Sequence, residues 1–151
     1  MEKPKKKPLP PTYFIILLLL SIGLHFIFPI KKIIFPPYTY LGFAFIIFGG
    51  VINIWADMLL KKKKTTVKPY ENPTQLITSG PFRISRNPQY LGFTAILLGI
   101  AINHGTLVTF AVPIAFVFLM GLLFIPFEER NLERIFGREY GEYKNHVRRW
   151  L

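Results

Sequence analysis

The chain has 151 residues, 51% of them hydrophobic and 16% aromatic, with a mean hydropathy of +0.35 and a formal net charge of +11. That balance is too apolar for an ordinary water-soluble domain of this length and reads as a small integral membrane protein. The lack of cysteine excludes disulfides, thiolate metal ligands and a catalytic thiol; the scattered His25, His104 and His146 make no metal-ligand set, so no metal is expected.

Residues 1–11, with Lys3, Lys5, Lys6 and Lys7 and with Pro8, Pro10 and Pro11 keeping the chain extended, read as a disordered basic tail. A single all-α domain over 12–151 follows, with four transmembrane helices expected at about 13–28, 38–60, 89–103 and 107–127. The second and fourth are long enough to cross roughly 30 Å of hydrocarbon at about 1.5 Å per residue, while the first and third need flanking residues or a thinner bilayer. A signal peptide is the weaker reading of the first stretch, because no small-residue cleavage site follows it. Pro29, Pro36 and Pro37 break the chain before the second helix, and the short turn "NHGT" makes the third and fourth a tight antiparallel hairpin. The loop of residues 61–88 contains "QLITSGPF", whose apolar anchors and Ser79-Gly80-Pro81 turn predict an ordered cap over that hairpin. After the fourth helix, Leu132, Ile135, Phe136, Tyr143, Val147 and Trp150 recur at helical intervals among charges. They predict an interfacial helical segment over 128–151, broken at Gly137 and Gly141.

The charges sort by side. Lys61, Lys62, Lys63, Lys64, Lys68, Arg83 and Arg86 lie in the long loop, and Arg130, Arg134, Arg138, Lys144, Arg148 and Arg149 in the tail, against Lys31 and Lys32 alone in the first turn. By the positive-inside rule both termini and the loop of residues 61–88 are cytoplasmic. Topology and the lipid bilayer therefore account for the basic balance, with no nucleic acid partner required.

Two places carry polar residues that a membrane anchor does not explain. In "RISRNPQYLGF", Asn87 is a good N-cap and Pro88 a good first helical residue, so a helix start with partial positive charge sits beside Arg83 and Arg86. This is either an anion site or a pair of arginines snorkelling to lipid phosphates. At the end of the fourth helix, Glu128 and Glu129 stand where the helix dipole and the positive-inside pattern both disfavour carboxylates. The hairpin brings the cationic and anionic ends together, which suits a zwitterionic, amino-acid-like ligand. Asp57 reads as an ion-pair partner of Lys61, and Asn53 as a helix–helix contact.

The ordered series "LITSGPFRISRNPQYLG", a short helical hairpin and "EERNLERIFGREYGEYKNHVRRW" resembles the isoprenylcysteine carboxyl methyltransferase family, membrane-embedded S-adenosylmethionine-dependent enzymes related to phospholipid methyltransferases. The resemblance covers roughly Thr66 to Leu151. It implies an S-adenosylmethionine site formed by Thr74, Gln75, Leu76, Ile77, Gly80 and Phe82 of the loop, by Arg86, Asn87, Pro88, Gln89 and Tyr90 at the helix start, and by Glu128 and Glu129, with Arg86 and Tyr90 as catalytic residues. Phe136, Gly137, Tyr140 and Tyr143 match a further family signature. Three departures stand out: Asn87 replaces a histidine, Phe82 a tyrosine, and Phe124 an arginine that in the family meets the substrate carboxylate. A hydrophobic small-molecule or lipid acceptor is therefore expected in place of a prenylated-protein carboxylate. A non-catalytic membrane adaptor or scaffold is the alternative. A nicotinamide-dependent reductase ranks below both, since no diphosphate-cradling glycine motif is present.

Overall fold

The computed structural model describes residues 8–66 and 71–151; the expected disordered tail therefore lies mostly outside the described residues. Its longer elements are all α-helical, joined by short 3₁₀ turns, and among the described residues the only β feature is an isolated bridge between Lys32 and Thr106.

Helix α1 spans Pro10–Ile27, starting before the expected Tyr13 because Pro10 occupies a first-turn position that needs no amide donor. Helix α2 (Leu41–Lys62) follows a 3₁₀ turn at Tyr38–Tyr40, and α3 spans Pro88–His104. Gly105, at φ +69°, ends α3 in the left-handed conformation. Helices α4 (Ala111–Leu119) and α5 (Ile125–Phe136) are joined by a π turn at Met120–Phe124. Pro126 lies just after that turn. It has no amide hydrogen for the α-helical ladder and its ring crowds the carbonyl four residues back, so a locally widened turn lets the helix continue. Gly137 closes α5 at φ +49°, and α6 runs Arg138–His146. The second expected break does not occur: Gly141 lies inside α6, where glycine costs only about 1 kcal/mol relative to alanine.

Three helical stretches are long and apolar enough to cross a membrane: Pro10–Ile27, Tyr38–Lys62 and Leu107–Phe136. At 17 residues α3 is shorter, and every one of its residues is buried or half-buried among α1, α2 and α4. Large apolar side chains on the outer helices face outward instead, among them Phe26, Ile47 and Leu122. Tyr13 meets Phe124 at 5.4 Å between ring centroids, while His25 stacks on His104 at 4.3 Å, so α1 runs alongside the bundle in alternating direction.

The most extensive helix pair is α2 with α3, while α3 and α4 form the expected antiparallel hairpin. Gly42 and Gly49 on α2 oppose Gly99 and Gly92 on α3. A Cβ on Gly49 would lie 2.3 Å from the Gly92 carbonyl oxygen, and one on Gly99 would lie 2.5 Å from that of Gly42. The two backbones therefore touch along a seam open only to glycine. Asn53 packs against Gly92, and both polar atoms of its amide lack hydrogen-bond partners among the described residues.

Two apolar clusters complete the interior. Leu17, Leu97, Val112, Phe116, Met120 and Phe124 fill the space between α1, α3 and the α4–α5 unit. Ala56, Leu60, Ile77, Phe82, Tyr140, Tyr143 and Val147 join the end of α2 to the loop and to α6. The segment "QLITSGPF" is thus an ordered cap, but over the end of α2: Gly80, at φ +60°, lies against Leu59 and Trp55. Much of the apolar face read as interfacial also turns inward. Tyr143 and Val147 are buried in the second cluster, and Trp150 packs against the first.

Candidate active site

Pro88 and Tyr90 are buried at the start of α3, and the turn Gly80–Arg83 delivers the chain to them from the cap. On the opposite wall, the helical stretch through the π turn brings α5 back to the same end of the bundle. The Tyr90 hydroxyl donates to Glu128 Oε1 at 2.6 Å. Between these walls a small open cleft is lined by Phe82, Arg86, Asn87, Pro88, Gln89, Tyr90 and Glu128, together with Glu71, Pro73, Asn131 and Leu132.

The other expected residues are distributed around this cleft. Gln75, Leu76 and Ile77 line a smaller adjoining cavity that shares Pro73, Phe82, Arg86 and Leu132 with it. Thr74 closes the neck of the loop: its amide donates to Thr65 Oγ1 at 3.0 Å and its hydroxyl to the Lys64 carbonyl at 3.1 Å. Gly80 sits over Trp55, away from the cleft, and Arg83 is exposed.

Glu129 does not line the cleft. It is buried between two arginines, 3.2 Å from Arg86 Nη2, while Arg149 donates from Nε at 3.2 Å and from Nη2 at 2.6 Å. Two guanidiniums and one carboxylate leave a local surplus of positive charge. Within it, Arg86 Nε and Nη1 are buried with no hydrogen-bond partner among the described residues. Tyr140 is buried nearby; burial first, then the Glu129 charge, push its phenol up to about 12 against the opposing effect of Arg86, so it stays neutral. The hydrogen bond to Glu129 raises Arg149 further and keeps it cationic.

Asn87 stands at the N-cap position of α3 but makes no side-chain capping bond. Its Nδ2 donates to the Arg149 carbonyl at 3.0 Å, while its own amide donates to Ser85 Oγ at 3.1 Å. Ser85 Oγ also donates to the Arg149 carbonyl, and the Arg86 amide donates to that of Arg148. The end of the chain is therefore strapped across the helix start. Sequence reasoning missed Ser85, Arg149, Glu71, Pro73, Asn131 and Leu132. The last two follow Glu128 by one helical turn, a spacing that could have found them; Arg149 carried no such local signal.

Chemically, the cleft sets the carboxyl group of Glu128 and the guanidinium of Arg86 in one lining with aromatic and apolar side chains. A sequence profile described as phospholipid methyltransferase matches residues 38–139, more than half of the chain and most of the cleft. The chain belongs to the phospholipid methyltransferase family. It is 35% identical over 117 residues to a rice protein (Oryza sativa subsp. indica) named "Probable protein-S-isoprenylcysteine O-methyltransferase", covering 72% of this chain and 58% of that protein. It is 31% identical over 111 residues to "Protein-S-isoprenylcysteine O-methyltransferase B" of Arabidopsis thaliana, covering 70% and 55%. The chain thus spans little more than half the length of the curated relatives it matches. No solved structure matches it. Membership of this methyltransferase family and the three long apolar helices identify an integral membrane protein.

Proposed function

We propose that the protein transfers a methyl group from S-adenosylmethionine to a lipophilic or membrane-associated acceptor at the cytoplasmic membrane interface. The observation that carries this reading is that Arg86, whose guanidinium keeps two nitrogens unpartnered among the described residues, and the acidic Glu128 line the same cleft. An amino-acid moiety has complementary ends, a carboxylate for Arg86 and a cationic end for Glu128. Phe82, Tyr90 and Leu132 supply the apolar walls. The cofactor supplies an electrophilic methyl group on a sulfonium. The chain's own contribution is to hold it in line with the acceptor and to exclude water, and no strong general base is needed for an acceptor already ionised or carrying a free amine. Tyr90 would hold Glu128 in place through its 2.6 Å hydrogen bond.

Phe124 bears on the acceptor. It is buried in the first apolar cluster against the Tyr13 ring and offers nothing to a substrate carboxylate, which favours an apolar acceptor entering sideways from the bilayer. In this reading α3 is a fourth, protein-shielded transmembrane helix, and both termini and the 61–88 loop face the cytoplasm.

Thermal unfolding of the purified protein in nanodiscs tests the assignment. S-adenosylmethionine and S-adenosylhomocysteine should raise Tm and NADPH should not, since a ligand at about 100 times its Kd adds about 2.7 kcal/mol to the native state. Glu128→Ala and Arg86→Ala should each weaken that binding about tenfold or more, as expected for loss of a charge-assisted contact. Wild-type affinity in both variants would sink the site assignment.

A further inference from the structure

Arg149 lies outside both the matched family region and the cleft lining, yet it makes the closest contacts to Glu129. Its guanidinium grips the carboxylate with two nitrogens, at Oε2 (2.6 Å) and Oε1 (3.2 Å). With Glu129, Arg86 makes a single contact, Nη2 to Oε1 at 3.2 Å, beside its hydrogen bond with the Tyr140 hydroxyl. A carboxylate and a guanidinium in isolation prefer a parallel two-bond fork. Were Glu129 free to turn, it would form that fork with Arg86, occupying a second nitrogen and cancelling its charge.

The strap bonds set this competition. Three hydrogen bonds from the Ser85–Asn87 turn to the Arg148 and Arg149 carbonyls fix the backbone from which the Arg149 side chain reaches Glu129. Two fixed cations therefore share one carboxylate, and the nearer, two-handed partner is the one that does not line the cleft. The unsatisfied valence is left on Arg86, which does.

We propose that Arg149 is a positioning residue: by holding Glu129, it keeps that carboxylate from closing on the Arg86 guanidinium, which stays available for the carboxylate of the bound ligand. The proposal rests on the methyltransferase reading and deepens it, assigning the anionic end of the cofactor to the Arg86 side of the cleft and its control to the C-terminal strap.

The experiment compares S-adenosylmethionine with its decarboxylated analogue, which differs only in lacking the carboxylate, by titration or competition on the full chain in nanodiscs. Wild type should prefer the carboxylate-bearing ligand. Arg149→Ala should weaken S-adenosylmethionine binding about tenfold while changing the analogue less than about twofold, so that the preference collapses. Arg149→Lys, which keeps a point charge but not the two-nitrogen grip, should fall between, and it carries the test if Arg149→Ala does not fold. In an Arg86→Ala background, Arg149→Ala should add little, because its effect passes through Arg86. Equal weakening of both ligands would mean a purely structural role and overturn the proposal, as would an unchanged preference. Failure of wild type to bind either ligand would instead overturn the methyltransferase reading, and this inference with it.

Discussion

The side chain of Asn87 donates to a carbonyl 62 residues further along the chain instead of capping the helix it precedes. An aspartate at this position separates the two roles. It is as good an N-cap as asparagine and would gain from the helix dipole, so a capping role makes Asn87→Asp neutral or stabilising. It cannot donate to the Arg149 carbonyl, so the strap role predicts a loss of about 0.5 to 1.5 kcal/mol and a lower Tm, read by unfolding in detergent. Capping preference is a local property and was legible in "RNPQY". The strap was not, because nothing near Asn87 says which distant carbonyl will arrive beside it. Glu128 and Glu129 show the same division. Their conflict with the helix dipole and the positive-inside pattern marked the pair as functional, yet their roles differ: Glu128 lines the cleft beside Tyr90, and Glu129 is buried between Arg86 and Arg149. Adjacent helical residues point about 100° apart, so a doubled carboxylate serves two different surroundings.

Among the elements, the α2–α3 seam makes the sharpest demand on sequence. Gly49→Ala places a methyl carbon 2.3 Å from the Gly92 carbonyl oxygen and 2.8 Å from an Ile96 side-chain carbon. Since backbone cannot yield as a side-chain tip can, the cost should be about 1 to 3 kcal/mol or more. Its neighbour is the control: a Cβ on Gly50 meets nothing within 4 Å, so Gly50→Ala should be neutral or stabilise by up to about 1 kcal/mol through helix propensity. Thermal unfolding of the two variants should move Tm in opposite directions or leave only Gly50→Ala unchanged; equal losses would remove the seam. The glycines recur seven residues apart on both helices, so the pattern was present in the sequence. Turn length pointed to the α3–α4 hairpin, whose ends do bring Tyr90 beside Glu128, but says nothing of which helix packs closest on α3. The π turn before Pro126 was legible only as a proline that an α-helix must accommodate.

At the scale of the molecule, helices α1 to α4 alternate in direction and collect the loop, α5 and α6 at one end, where the long loop and the tail also hold most of the positive charge. Composition and hydropathy made the all-helical membrane architecture legible. The short α3, expected at 89–103 and spanning Pro88–His104, fits this: a helix shielded by three others needs little lipid-facing surface and can be shorter than an exposed span. At about 1.5 Å per residue it is roughly 26 Å long, so full crossing requires the bilayer to thin slightly or its polar ends to reach the interface. Because the chain has no cysteine, each single-cysteine variant reports one position without background. Lys62→Cys and Asn145→Cys should be labelled by a membrane-impermeant maleimide only from the cytoplasmic side, and Lys31→Cys only from the opposite side. Labelling of Lys62→Cys and Asn145→Cys from opposite faces would mean that the chain does not cross an even number of times between them. The α3–α4 hairpin would then not traverse the bilayer, and a site at one interface shared by the helix start and the acidic pair could not form as described.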